Sequence, residues 1–180
     1  MRHFLKIGEM DVVPVVEALA RAPQLWDQHR LRTEHPGTAH AQVSDIWLWF
    51  NDIDPAALAA VADDRDTVPY PAWAALPQVR PIIFDLMRRV SGVRLGRVLI
   101  TRLPPGGRIA PHVDGGAPAT YFDRYQVALK SLPGVLFRAG DEQVSFATGE
   151  VWMFDNTQEH EVINNSADDR LALIVDIRSA

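Results

Sequence analysis

A mainly β domain with flanking helices is the architecture this sequence predicts, and three observations carry it. After residue 94 nearly every segment is short and rich in β-branched or aromatic residues, with Gly, Pro, Asn or Asp between segments. Before residue 94 the apolar residues recur mostly at helical spacing. The chain has 180 residues, enough for one domain with a substantial core. The expected organisation is therefore a single domain over 1–180. A mostly helical bracing segment fills 1–93, and the β core fills 94–180. About eight short strands at this spacing fit a sandwich, a barrel or a jelly roll, with the helices bracing one outer face.

The first helix is expected over "DVVPVVEALAR" (11–21), with Asp11 as its N-cap. A polar, turn-rich stretch (25–45) follows, and then "IWLWF" (46–50), a short strand. "DPAALAAVADD" (54–64) offers Asp54 as cap and Pro55 at the first helical position. "LPQVRPIIFDLMRRVSG" (76–92) reads as a helix that starts at Pro81 and stops at Gly92 after a basic last turn. The strand candidates are then "RLGRVLITRL", "RIAPHVD", "RYQVALKSL", "GVLFRAG", "EQVSFATG", "EVWMFDN", "HEVINN" and "RLALIVDIR".

Composition removes several function classes. There is no cysteine, so disulfides, thiolate nucleophiles, zinc fingers and iron–sulfur clusters are excluded. The formal charge is −5 with no dense Lys/Arg run, which disfavours nucleic acid as a partner. No apolar run reaches transmembrane length, so no membrane partner is expected. The N-terminus has no signal-peptide core. Together with the missing cysteines, this suits a cytoplasmic location.

The chemistry concentrates in "RIAPHVDGGAP" (108–118). On a strand, His112 and Asp114 leave the same face, so a nitrogen donor and a hard oxygen donor converge. A third donor would complete the facial triad of an open iron(II) site. Downstream the only histidine is His160, at the start of a late strand that a jelly roll can return beside an early one. Ten residues later Arg170 opens "RLALIVDI", after the turn-like "NNSADD" (164–169). The two strands are expected to pair as a hairpin, with His160 and Arg170 on one face. Their Cα atoms are then separated by roughly 13 Å along the sheet at about 3.3 Å per residue. That gap suits a small dicarboxylate, chelating a metal at one end and meeting a guanidinium fork at the other.

"HVD", His160 and Arg170, in this order on this strand pattern, look like the Fe(II)/2-oxoglutarate-dependent dioxygenases, whose core is a double-stranded β-helix, the cupin-like jelly roll. More narrowly, "LPPGGRIAPHVD", "RYQVAL" and "GEVWMFDNTQEHEVINNSADDRLALIVDI" resemble the aspartyl/asparaginyl β-hydroxylase family. The spacing is close to that of the bacterial proline cis-hydroxylases. The resemblance covers residues 95 to 178. It implies hydroxylation of an amino acid, free or in a peptide or protein, using Fe(II), 2-oxoglutarate and O2, with succinate and CO2 as co-products. It also implies that Thr101 assists Arg170 at the distal carboxylate of 2-oxoglutarate. Arg124 falls on an arginine that contacts an acid group near the metal, on cosubstrate or substrate. Gln126 falls where many members have histidine. The strand phase agrees: Arg124, Gln126 and Ala128 alternate with Tyr125, Val127 and Leu129.

The stretch from Trp26 to His40 holds two arginines and three histidines in an otherwise acidic chain. It is expected to be a loop folded over the iron site, with Arg30 or Arg32, beside Arg124, receiving a substrate carboxylate. Two alternatives stand beside the oxygenase reading. One is a cupin-like metalloprotein that does not use 2-oxoglutarate. The other is a non-catalytic jelly-roll ligand sensor.

Overall fold

The structure, a computed structural model, describes residues 1–53 and 65–180. The helix expected over 54–64 lies outside the described residues. The strands form two antiparallel sheets. The larger holds, in spatial order, β1 (Phe4–Glu9), β9 (Glu150–Phe154), β6 (Asp123–Lys130), β11 (Arg170–Ser179), β4 (Gly92–Leu103), β2 (Ser44–Phe50) and β3 (Val68–Pro69). The smaller holds β5 (Arg108–His112), β10 (His160–Asn164), β7 (Val135–Ala139) and β8 (Glu142–Val144). From β4 onward the chain crosses repeatedly from one sheet to the other, which makes the fold a jelly roll.

Alternation along the strands decides what each face does. Leu171, Leu173, Val175 and Ile177 of β11, with Tyr125, Val127 and Leu129 of β6, turn outward. They share a core with Val15 and Leu19 of α1 (Val13–Arg21) and with Val79, Ile83 and Leu86 of α4 (Val79–Arg89). The helices therefore brace one outer face, as expected. The alternate set turns inward. Ala128, Trp152, Phe154 and Leu103 meet Ile109, Phe137 and Val162 of the smaller sheet in a second core. β11 is buried on both faces, which is why "LALIVDI" reads as an almost unbroken apolar run.

Four expectations need correction. Residues 1–93 are less helical than their pattern suggests, because they contribute β1, β2 and β3 to the larger sheet. The N-cap of α1 is Val12, although the Asp11 carboxylate still accepts the Val13 N–H at 3.0 Å. α4 begins at Val79, so Pro81 sits within its first turn, where no N–H is needed for the helix ladder. That helix ends at Arg89, and the turn after it holds Ser91 in the left-handed conformation (φ 53°). Gly92 instead opens β4, and a Cβ there would lie 2.6 Å from Ile177 Cγ2.

The fourth correction matters most. β10 and β11 do not form a hairpin, since β10 pairs with β5 and β7 while β11 pairs with β4 and β6. The turn between them carries the chain from one sheet to the other. Buried Asn164 fixes this corner. Its amide donates to the Leu103 and Asp168 carbonyls at 2.9 and 2.8 Å, and its oxygen accepts Ser166 Oγ at 2.6 Å. His160 and Arg170 thus come from opposite layers and share the space between them.

Candidate metal centre

His112 and His160 are register partners on adjacent strands β5 and β10. Their rings lie 4.3 Å apart, centroid to centroid. Each Nδ1–H donates to the backbone carbonyl two residues earlier, His112 to Ala110 at 2.8 Å and His160 to Gln158 at 2.9 Å. That bond fixes the tautomer and leaves each Nε2 with a free lone pair. Burial pushes the His160 imidazole below its ordinary pKa, against the opposing pull of Asp114, so it stays neutral.

Asp114 lies two residues past the end of β5, not within the strand as expected. Its N–H donates to the Asn156 carbonyl at 3.3 Å, which holds the loop in place. The carboxylate still converges with the histidines. Oδ1 is 3.6 Å from His112 Nε2, and Oδ2 is 3.9 Å from His160 Nε2. One donor atom from each of the three residues lies within 4.8 Å of the others. Burial opposes ionisation of Asp114, but the Arg124 guanidinium outweighs it and holds the carboxyl below its usual range. Two imidazoles and one carboxylate, converging and incompletely hydrogen-bonded, fit a divalent cation such as iron(II).

The three donors line a cavity of about 180 Å³ between the sheets. Phe50, Leu99, Ile109, Phe137, Phe154 and Ile174 form apolar walls, and Gln126 closes one side. Phe154 lines the cavity, whereas Trp152 and Leu173 are core. Arg170 stands next to Gln126, and its Nη2 donates to Gln126 Oε1 at 2.6 Å. It is 4% exposed and has no carboxylate partner among the described residues, and burial lowers its pKa to about 10. The nearby acid Asp168 pairs instead with Lys130 at 2.6 Å. Thr101 shares this face of the larger sheet, opposite Ala172, and its buried Oγ1 has no partner among the described residues. Arg170 and Thr101 do not line the cavity as it stands; Gln126 lies in front of them.

Arg124, expected to meet an acid group of cosubstrate or substrate, is engaged within the protein. It binds Asp176 through Nε at 2.7 Å and Nη2 at 2.8 Å, and Asp114 through Nη1 at 2.5 Å. Arg30 also departs from expectation. It is exposed, pairs with Glu34 at 2.9 Å, and borders a separate cleft with His29, Trp47 and Tyr70. Arg32 does reach the cavity, but Asp45 holds its fork at 2.7 and 2.9 Å. The stretch expected to be a loop holds a short helix over Leu31–Glu34, and besides Arg32 it brings His35 and His40 to the cavity wall, the latter with its ring 4.8 Å from that of His112. Asp176, Asn156 and His40 were missed by sequence reasoning. An aspartate inside an apolar strand was the one available signal.

The fold is shared with structures of known proteins. A Trichoplax adhaerens prolyl hydroxylase, bound to a hypoxia inducible factor peptide fragment, matches 98% of this chain and 84% of its own at TM-score 0.62 and 11% identity. The viral collagen prolyl hydroxylase of Paramecium Bursaria Chlorella virus-1 matches 99% and 96% at TM-score 0.54 and 11% identity. A 2OG-Fe(II) oxygenase family oxidoreductase from Burkholderia pseudomallei matches 89% and 77% at TM-score 0.53 and 18% identity. No curated protein matches the sequence. The model of the Aspartyl/Asparaginyl beta-hydroxylase family matches residues 54–180, a span that contains the whole donor set and Arg170, and the chain belongs to that family.

Proposed function

We propose that this protein is an Fe(II)/2-oxoglutarate-dependent hydroxylase of an amino acid, free or within a peptide, releasing succinate and CO2. Family membership supports the reaction class. The observation that carries the cosubstrate is Arg170. A buried guanidinium without a carboxylate is costly unless an anion joins it. It stands across the sheets from the metal donors, as a molecule with a carboxylate at each end requires.

His112, Asp114 and His160 would hold the iron. The iron and 2-oxoglutarate, when bound, supply the oxidising chemistry with O2. The protein supplies position, charge and dryness. The Nδ1–H bonds orient both imidazoles. Arg170, with Thr101 and Gln126 beside it, would receive the distal carboxylate of 2-oxoglutarate. The apolar walls keep water away from the reacting substrate. Substrate enters beneath the loop that bears Arg32, His35 and His40. Two of the structural neighbours are named as prolyl hydroxylases, one with a peptide bound, which supports including peptides among the candidate substrates.

The test is a succinate-release screen with free amino acids, short peptides and a protein lysate, run with Fe(II), 2-oxoglutarate and O2. Succinate formed in proportion to a hydroxylated product is the expected result. Metal binding without succinate from any substrate would return the protein to a metalloprotein or sensor reading.

A further inference from the structure

Asp176 has no part in the function proposed above, yet it is a buried carboxylate on the inward face of β11. Room is made for it. β4 carries an extra residue at this point, since Val175 pairs with Val98 but Ile177 pairs with Leu95. Such bulges re-aim side chains beside active sites. Gly96 lies in the bulge, and a Cβ there would sit 3.0 Å from Asp176 Cβ.

Both Asp176 oxygens accept from Arg124, at 2.7 and 2.8 Å, in a two-pronged pair along one edge of the guanidinium. Of the donors that remain, Nη1 alone bonds Asp114, at 2.5 Å to Oδ2. Asn156 Nδ2 donates to the same Oδ2 at 3.2 Å. Asp114 Oδ1, on the His112 side, accepts no hydrogen bond from the described residues.

We propose that Asp176 is a positioning residue for metal binding: by gripping the Nε/Nη2 edge of Arg124, it fixes that guanidinium in the orientation in which only Nη1 meets Asp114, and so keeps Asp114 Oδ1 and its charge available to the metal. The inference rests on the reading that His112, Asp114 and His160 hold the metal. Charge supports it. The Asp114 and Asp176 carboxylates balance the Arg124 and Arg97 guanidiniums beside the donors, and removing the Asp176 charge would leave that group net positive. Without Asp176, Arg124 would cancel Asp114 and compete with the cation for it. A purely structural role would place Asp176 in the fold only to neutralise a buried arginine, and would affect stability alone.

The experiment is an anaerobic Co(II) titration of the full chain without 2-oxoglutarate, followed by the visible absorption of the bound ion, with the melting temperature of the metal-free protein measured separately. The parent should bind one Co(II). Asp176→Asn should bind about 10–100-fold more weakly, the range expected when a group supporting a ligand is lost. Asp176→Glu should fall between the two. Adding Arg124→Met to Asp176→Asn should recover part of the lost affinity, because the competing cation is gone. Asp176→Asn that binds Co(II) as tightly as the parent, whatever its melting temperature, overturns the inference. So does a double variant no tighter than the single. If the parent itself binds no Co(II), the metal-site reading fails, and the inference with it. Should Asp176→Asn not fold, Asp176→Glu and the double variant carry the same comparison.

Discussion

Arg170 donates to Gln126 Oε1 at 2.6 Å, and this neutral amide is the only hydrogen-bond partner of a fully buried guanidinium among the described residues. A cation in that state destabilises the metal-free, cosubstrate-free protein. Replacing it with an apolar side chain of similar length removes that desolvation penalty. Arg170→Met should therefore raise the melting temperature of the empty protein. The same variant should lose the stabilisation that 2-oxoglutarate gives the parent, since truncating one partner of a buried charge pair costs on the order of 2–5 kcal/mol of binding. Arg170→Lys should restore only part of the affinity, because the fork is lost. Thermal melts with and without 2-oxoglutarate check all three statements. A cosubstrate shift that persists in Arg170→Met would remove Arg170 from the site.

His112→Ala and His160→Ala should each abolish turnover and Co(II) binding while the protein stays folded. Both rings sit on strands whose pairing does not depend on them. Full activity in either variant would break the assignment of the donor set.

The two arginines of the overlying loop should part company. Arg30 is exposed and pairs with Glu34 one helical turn away, so Arg30→Ala should change stability by less than about 0.5 kcal/mol. Arg32 meets Asp45, whose side chain is fully buried, so Arg32→Ala leaves an unpaired interior charge. The loss should be about 3–5 kcal/mol, read by denaturant unfolding. Equal effects of the two substitutions would contradict this placement of the loop.

Acid should weaken the metal-free fold through His160 and His40. Burial lowers the pKa of both below the ordinary histidine value of 6.5; for His40 the Arg32 charge adds to burial. The unfolded chain then binds protons that the folded chain refuses. Stability is complete above about pH 6.5 and falls as the pH drops below it. Asp114, whose pKa is also lowered, adds a further loss only below its ordinary value of 3.8. Melting temperatures between pH 7 and 5 should decline, and His40→Asn should flatten that decline. A parallel decline in the variant would show that His40 takes no part.

The strand content after residue 94 was legible because alternation along each strand reports which face is buried. The inward phase of Arg124, Gln126 and Ala128 followed from the same rule. The edge strands of the larger sheet, β1 and β3, were not legible. β1 carries Lys6 and Gly8 and has one buried residue, so its pattern is too weak to read. The supposed hairpin between His160 and Arg170 failed for a different reason. Composition marks a turn, but it does not say whether the next strand stays in the sheet, which depends on partners such as Leu103 that are distant in sequence. The metal donors stood out through local spacing. Their supports did not, because Arg124, Asn156 and Asp176 meet Asp114 and one another only through the fold.

The corner at Asn164 places the two grips of the site on different layers, His112 and His160 on the smaller sheet and Arg170 on the larger. A ligand that engages both ends is therefore a bolt across the seam of the sandwich. Opening the sheets would require one end to let go first. Amide hydrogens of β5 and β10, which belong to the thinner layer, should exchange with solvent more slowly once metal and 2-oxoglutarate are both in place than with either one alone.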